Sequence, residues 1–238
     1  MEGPSIVIAT EELKPFEKQK ILSSNRENFI GMRYIGSRSW GKHLLLTFSK
    51  INLRIHFLMF GSYRIDNPRE NRIPKLELRF KQGIVYFYSC AIKEIPDGFE
   101  EDYDWTIDTM SEEFSKPRAK KVMLSKPKSK VCDLLMDQTI FAGVGNIIKN
   151  EVLYLQKLHP DTRIEILTPK EISDLIKVTI KYCHQFYEWK KMNVLKRNWK
   201  IFRKKKCPVC LGPIIKRPTG KLQRISHFCL KCQPLNYV

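Results

Sequence analysis

Residues 207–232 read CPVCLGPIIKRPTGKLQRISHFCLKC. Two Cys-x-x-Cys pairs, Cys207/Cys210 and Cys229/Cys232, stand eighteen residues apart. Such pairs place four thiolates tetrahedrally around one metal ion, and this loop length falls in the zinc-ribbon range. Disulfides are the competing possibility. The chain, however, opens MEGPSIVI, with an acid and a Gly-Pro pair where a secretory leader has a basic end and a long apolar run. Cys90, Cys132 and Cys183 are also left over, as fits a compartment that keeps thiols reduced. Zn2+ is therefore expected, and it is structural: four thiolates leave no open position for catalysis. The metal folds a tail too short and too polar to form a core unaided. Between the knuckles, KRPTGKLQRISHF puts cations on a rigid hairpin, and the guanidinium of Arg224 is suited to a bidentate grip on phosphate.

The rest of the chain fits a partner that is a polyanion. The formal net charge is +18, and no acidic residue follows Glu188, whereas 189–238 holds 14 Lys/Arg. A basic block of this kind faces DNA, RNA or an anionic membrane. No apolar run approaches the roughly 20 residues that span a bilayer, so a soluble, intracellular protein without a membrane partner is expected. Eight acids and no Lys or Arg lie between Asp97 and Glu113, which suggests an exposed linker turned away from the anionic partner.

With 238 residues and 42% hydrophobic content, the chain can bury a proper core. Residues 29–95 read as short strands: KHLLLTFS, INLRIHF, FGSYRID, KLELRF and IVYFYSC, with a tight hairpin at Gln82-Gly83. SIVIAT alone looks like a strand, while Pro4 followed by EELK suggests a helix entered at its first turn. From about 116 the apolar spacing becomes helical, in VCDLLMDQTIF and NIIKNEVLYLQKL. A longer helix starts at a Thr168-Pro169 cap supported by Glu171. Before NIIKNEV stands FAGVGN, two glycines and then Asn146. It is not a dinucleotide fingerprint. Two readings stay open: a backbone approach that lets a helix N-terminus meet a phosphate, or a plain corner capped by Asn146.

EGP at the start, SWGKHLLL, RIHFLMFGSYR, DQTIFAGVGNIIKNEV and QRISHFCLKCQ occur in this order along nearly the whole chain. Together they resemble the formamidopyrimidine-DNA glycosylase / endonuclease VIII family of base-excision repair enzymes. EGP, rather than ELP, is closer to the endonuclease VIII branch. The resemblance implies an α+β multidomain fold: an N-terminal helix and β-sandwich over 1–110, a helix–two-turn–helix domain over 111–195 and a four-cysteine zinc finger over 196–238. It implies double-stranded DNA with damaged bases or abasic sites as the partner, lying in a cleft between two lobes, and one chain per lesion, a monomer. It also implies a DNA glycosylase with AP lyase activity (β,δ-elimination): the N-terminal amine attacks C1′ of a flipped nucleotide, a Schiff base forms, the base leaves and the strand is cut.

By the same resemblance, Glu2 serves as proton donor and shuttle, and Lys42 as a phosphate contact or substitute amine. Asn146 and Arg224 grip the phosphates that flank the lesion. Leu58, Met59 and Phe60 fill the void left by the flipped base, as apolar wedges replace lost stacking. An α-amine suits imine formation, because its reference pKa near 8 leaves a useful neutral fraction at pH 7. The family's usual start is Met-Pro-Glu-Gly-Pro, with the proline exposed as nucleophile; here Met1 stands in its place, and Ser5 stands where relatives often have Glu. Three readings follow: Met1 is a working nucleophile, the proline was deleted and the enzyme is impaired, or the protein binds lesions without cutting. His43, His56, His159, His184 and His227 form no ligand spacing and are read as structural or phosphate-contacting. Oxidised pyrimidines are the substrate that the branch implies. A zinc-ribbon RNA-binding protein is the reading from outside the family; it predicts no lesion preference and leaves EGP, GVGN and the wedge as coincidences. The expected setting is the bacterial cytoplasm, nucleoid-associated, with RKKK at 203–206 facing DNA rather than serving as a nuclear signal.

Overall fold

The computed structural model describes residues 1–235; the last three residues of the expected finger segment, 236–238, lie outside them. The chain divides into two compact units, Met1–Asp104 and a second that begins at Trp105. In the first, the ambiguous N-terminal stretch is a helix, α1 (Gly3–Leu13), with Pro4 in its first turn. Ile6, Ala9 and Leu13 recur at helical spacing and are buried, which is why SIVIAT does not become a strand. Eight strands follow: β1 (Ser23–Ser24), β2 (Tyr34–Trp40), β3 (His43–Phe48), β4 (Asn52–His56), β5 (Ser62–Ile65), β6 (Leu76–Phe80), β7 (Gly83–Tyr88) and β8 (Ala91–Ile95). They form two antiparallel sheets, ordered β1-β6-β7-β5 and β2-β3-β4-β8.

The two sheets share one core and so make a β-sandwich. Leu44, Leu46, Leu53 and Ile55 come from one sheet, and Leu76, Leu78, Phe80, Val85 and Phe87 from the other, with Ile6, Ala9 and Leu13 of α1 in the same cluster. In β6 the alternation is strict: Leu76, Leu78 and Phe80 point inward between Glu77 and Arg79. The expected hairpin forms, with Phe80 paired to Gly83 across the turn. Tyr63 of β5 donates its phenol to the Glu12 carboxylate at 2.6 Å and so ties α1 to the sandwich.

The second unit is helical before its C-terminal hairpin. It holds α2 (Lys116–Leu124), α3 (Val131–Met136), α4 (Asn146–Leu155), α5 (Pro169–Lys191) and α6 (Leu195–Asn198), then β9 (Ile215–Thr219) and β10 (Arg224–Phe228). The Thr168 cap of α5 is a full capping box with Glu171. VCDLLMDQTIF is helical only as far as Met136, because Asp137 turns the chain. Its carboxylate accepts the Thr139 N–H at 2.9 Å and the Thr139 hydroxyl at 2.7 Å. Gln138 closes the second turn, donating to the Met136 and Val144 carbonyls and accepting the Gly143 N–H. Gly143 has φ 102, a conformation that L side chains rarely adopt. The acidic stretch is only partly an exposed linker. Ile107, Asp108 and Thr109 are buried, and Thr109 donates to the Ala142 carbonyl through both its N–H and its hydroxyl. That packing braces the two-turn segment from below.

The C-terminal hairpin is held by consecutive buried polar residues of α4. Lys149 donates to Ser226 Oγ at 2.8 Å, and Asn150 Oδ1 accepts the His227 N–H at 2.6 Å. Glu151 accepts the N–H groups of Lys200, Ile201 and Phe202 at 2.8, 3.0 and 2.8 Å. Asp133 of α3 catches the hairpin tip, accepting the Lys221 N–H at 2.8 Å. Any side chain at Gly220 (φ 65) would collide with Asp133.

The packing keeps two imidazoles neutral. Burial first, then Arg54, His56 and Lys42, pushes His43 down to about 4. Burial first, then Lys216, Lys149 and Arg203, does the same to His227, also to about 4. A free histidine titrates near 6.5, so between about 6.5 and 4 the unfolded chain binds protons that the folded chain refuses. Stability conferred by the neutral rings is complete above about 6.5 and is lost as pH falls through that window. Urea midpoints measured from pH 7 to pH 4 should therefore fall, and His43→Gln with His227→Gln should flatten the slope. Glu151→Ala orphans three backbone donors and should lower unfolding free energy by on the order of 3 kcal/mol, read by chemical denaturation of the second unit.

Candidate active site and metal centre

The chain's amino end is fixed rather than loose. Glu2 has an extended backbone at the N-cap of α1, its carbonyl accepts the Ser5 N–H at 2.9 Å, and the residue is 8% exposed. The Met1 side chain packs half-buried against the sandwich core. Lys42 lies in the two-residue turn between β2 and β3, where Trp40 pairs with His43 and Gly41 takes a left-handed φ of 52. The turn leaves Lys42 little slack, and the ladder then sets His43 directly opposite His56.

His56 is where these groups converge. Burial first, then the terminal ammonium of the chain, Lys42 and Arg54, lowers its pKa. The rings of His43 and His56 meet edge to face with centroids 5.5 Å apart. His56 Nδ1 accepts the Leu58 N–H at 3.2 Å. Leu58, at φ 49, opens a turn that exposes three apolar side chains in a row: Leu58 (55%), Met59 (66%) and Phe60 (75%). The turn closes at Gly61, whose N–H donates to the Phe57 carbonyl at 2.7 Å; a Cβ there would overlap that carbonyl. The first unit thus gathers the terminal amine, Lys42 and the exposed triplet around His56. From the sequence, His56 is one of five histidines taken as structural or phosphate-contacting, and Arg54 has no assigned role. The available signal was their position on β4, directly before the triplet.

In the second unit, the corner before α4 is capped by Gly145, not by Asn146. Asn146 is the first helical residue, and its Nδ2 donates to the Ile225 carbonyl at 3.0 Å. Its Oδ1 is buried with no hydrogen-bond partner. Ile225 follows Arg224, so this bond sets the first turn of α4 beside the start of β10. Arg224 itself is exposed. Arg217 is committed elsewhere, to Asp161 at 2.8 Å and over the Phe228 ring at 5.2 Å. Lys130 binds the other oxygen of Asp161 at 2.7 Å.

The four sulfurs of Cys207, Cys210, Cys229 and Cys232 lie within 4.8 Å of one another. Cys207 and Cys232 approach to 3.7 Å, and Cys210 and Cys229 to 3.3 Å. Metal–sulfur bonds of about 2.3 Å in a tetrahedron put sulfurs just under about 4 Å apart, so the cluster has the right size. Its electrostatics fit as well. Burial raises the Cys207 thiol, but the N–H groups of Cys210 and Val209 and the Tyr154 hydroxyl outweigh it and hold the thiol near about 6. Burial and the neighbouring sulfurs push Cys232 up to about 12. Four thiolates at this spacing need a cation among them. The first knuckle is built for one: the Cys207 N–H donates to the Gly212 carbonyl at 2.8 Å and the Leu211 N–H to the Cys207 carbonyl at 3.0 Å.

Residues 106–194 match the formamidopyrimidine-DNA glycosylase H2TH domain. Among curated proteins, the chain is 34% identical to endonuclease 8-like 3 of Xenopus laevis, over 85% of this chain and 35% of that protein. It is 32% identical to endonuclease 8-like 3 of Homo sapiens, over 87% of this chain and 36% of that protein. Endonuclease 8-like 2 of Mus musculus is 29% identical over 76% of this chain and 58% of its own length. The chain thus spans about a third of the length of its endonuclease 8-like 3 relatives. In fold it is similar to Lactococcus lactis formamidopyrimidine-DNA glycosylase, solved bound non-covalently to DNA containing an AP site. The TM-score is 0.86 at 24% identity, covering 98% of this chain and all of that one. The expectation of a bacterial, nucleoid-associated, cytoplasmic protein is overturned, because the relatives at 32–34% identity come from frog, cattle, mouse and human. The H2TH match, the endonuclease 8-like relatives and the shared fold make the chain a member of the formamidopyrimidine-DNA glycosylase / endonuclease VIII family, on its endonuclease 8-like side.

Proposed function

We propose that the chain excises oxidised bases from double-stranded DNA and cuts at the resulting abasic site, acting as a monomer with the amine of Met1 as nucleophile. The observation that carries this is the meeting at His56: the terminal ammonium and Lys42 both act on a ring that also holds the Leu58 N–H. A wedge that displaces a base and an amine that attacks the exposed sugar have to stand close together, and here one imidazole feels the charge of the amine and bonds the first residue of the triplet.

The steps follow from the residue chemistry. Leu58, Met59 and Phe60 enter the stack and fill the space vacated by the flipped nucleotide. The neutral Met1 amine attacks C1′ and forms a C–N bond while the deoxyribose ring opens. Glu2, adjacent in the chain and largely buried, gives a proton to the ring oxygen, and the base departs with the glycosidic electron pair. One N–H proton is lost, and as the base leaves, the nitrogen lone pair closes the C1′=N bond of the protonated imine. Removal of a C2′ proton then expels the 3′ phosphate by β-elimination, and a second elimination releases the 5′ phosphate. Lys42 contacts the backbone phosphate near the cut, while Asn146 and Arg224 hold the phosphates that flank it. Zn2+ at the four cysteines shapes the hairpin that carries Arg224 and takes no part in the chemistry.

A second reading is lesion binding without cleavage. It is favoured by the Met1 side chain, which packs half-buried against the core where the family pattern has a compact proline ring. Borohydride trapping on an abasic-site duplex separates the two. A covalent adduct located on the Met1 nitrogen by mass spectrometry is expected, and acetylation of that nitrogen should abolish it. An adduct on Lys42 moves the chemistry off the terminus, and tight binding without any adduct leaves only the lesion binder. Glu2→Gln should slow base release by about 10²- to 10⁴-fold in single-turnover assays with little change in duplex affinity. Stripping the metal with a chelator should weaken duplex binding and leave the circular dichroism of the sandwich unit intact.

A further inference from the structure

The Tyr154 hydroxyl lies 3.3 Å from the Cys207 sulfur, and both residues are buried. Tyr154 belongs to α4, the helix that starts at Asn146. Its ring packs with Ile201, Cys207 and Cys229, and Cys210, Ile214 and Cys232 complete the same small cluster. A metal-bound cysteine is a thiolate and has no proton to give, so the hydrogen between the two atoms must come from the phenol. An O–H directed at a coordinating sulfur stabilises its charge, fixes its direction and makes it less available for protonation. The other polar residues on this side of α4 bind backbone or hydroxyl groups; Tyr154 alone among these bonds reaches a ligand atom.

We propose that Tyr154 is a positioning residue of the metal centre, its hydroxyl donating to the Cys207 thiolate so that α4 takes part in retaining the metal. One helix then touches the ion's ligand shell near its C-terminal end and carries Asn146 at its N-terminal end. The two stand eight positions apart, about 12 Å of helix. Metal retention and the placement of Asn146 become linked through a rigid rod. The proposal rests on a metal at the four cysteines and on no step of lesion chemistry, so the trapping experiment above can fail without touching it.

Tyr154→Phe removes the hydroxyl and keeps the ring. The zinc-loaded full chain, challenged with excess chelator and read with a chromogenic zinc indicator, should release metal about tenfold faster or more than the parent. The cobalt-substituted variant should show a shifted thiolate-to-metal absorption band. Tyr187→Phe, which deletes the exposed hydroxyl that Lys191 meets on α5, should change neither readout. Incorporating 3-fluorotyrosine at 154 makes the phenol a stronger donor in nearly the same volume, and it should slow release. That second variant keeps the test decisive if Tyr154→Phe loads metal poorly. Unchanged release and an unchanged cobalt spectrum in both variants would overturn the proposal and reduce Tyr154 to a packing residue.

Discussion

Three backbone N–H groups pointing at one buried carboxylate, that of Glu151, hold the segment after α6 against the helical part of the second unit. The segment after α6 has too little apolar surface to exclude water by itself. Its small cluster of Ile201, Cys207 and Cys229 is completed by Tyr154, a residue of the helical domain. Residues 200–202 are accordingly fastened to α4, just before the first knuckle. Glu151 does this with charge-assisted bonds in a dry setting, where they are stronger than at the surface. Lys149 and Asn150, its neighbours in sequence, then bind the hairpin itself at Ser226 and His227. Three adjacent residues of one helix thus carry the linker and the finger together.

The first unit solves a different problem. The nucleophile proposed for it is the end of the chain, and chain ends fray unless they are tied down. The tie is made by Pro4, which presets the first turn, by the Glu2 carbonyl on the Ser5 N–H, and by an α1 face buried in the sandwich core. Cations crowd this region, with Lys42, Arg54 and the amine itself around His56. Neutral imidazoles are the consistent result: a charged ring there would be both desolvated and repelled.

Much of this was legible in the residues. The cysteine spacing gave the metal cluster, and the apolar runs gave the central strands β3, β4, β6 and β7, because those strands are buried and have to be apolar. The strands β1, β2 and β8 were not singled out. All three lie at sheet edges, where polar residues such as those of YIGSRSW and AIKEI protect an unpaired rim and erase the alternating pattern. Asn146 was assigned to the right corner, but the cap itself belongs to Gly145, since the asparagine amide is used on Ile225, 79 positions away. The place of His56 beside the amine and the triplet was not legible for the same reason. Its importance comes from cross-strand pairing and from the fold of the terminus, neither of which is visible in a local window.

Asp161 carries a consequence for how the protein's charge should be counted. It sits between Lys130 and Arg217, and Arg217 also lies over the Phe228 ring. The Arg217 and Asp161 charges already cancel within the formal total of +18, and a guanidinium committed in this way has less to offer a phosphate. When a protein meets DNA, the salt dependence of binding records the counterions that its free cations displace from the backbone. In the DNA encounter proposed above, the hairpin's share of that dependence rests on Arg224 and the exposed Lys216 and Lys221 rather than on Arg217.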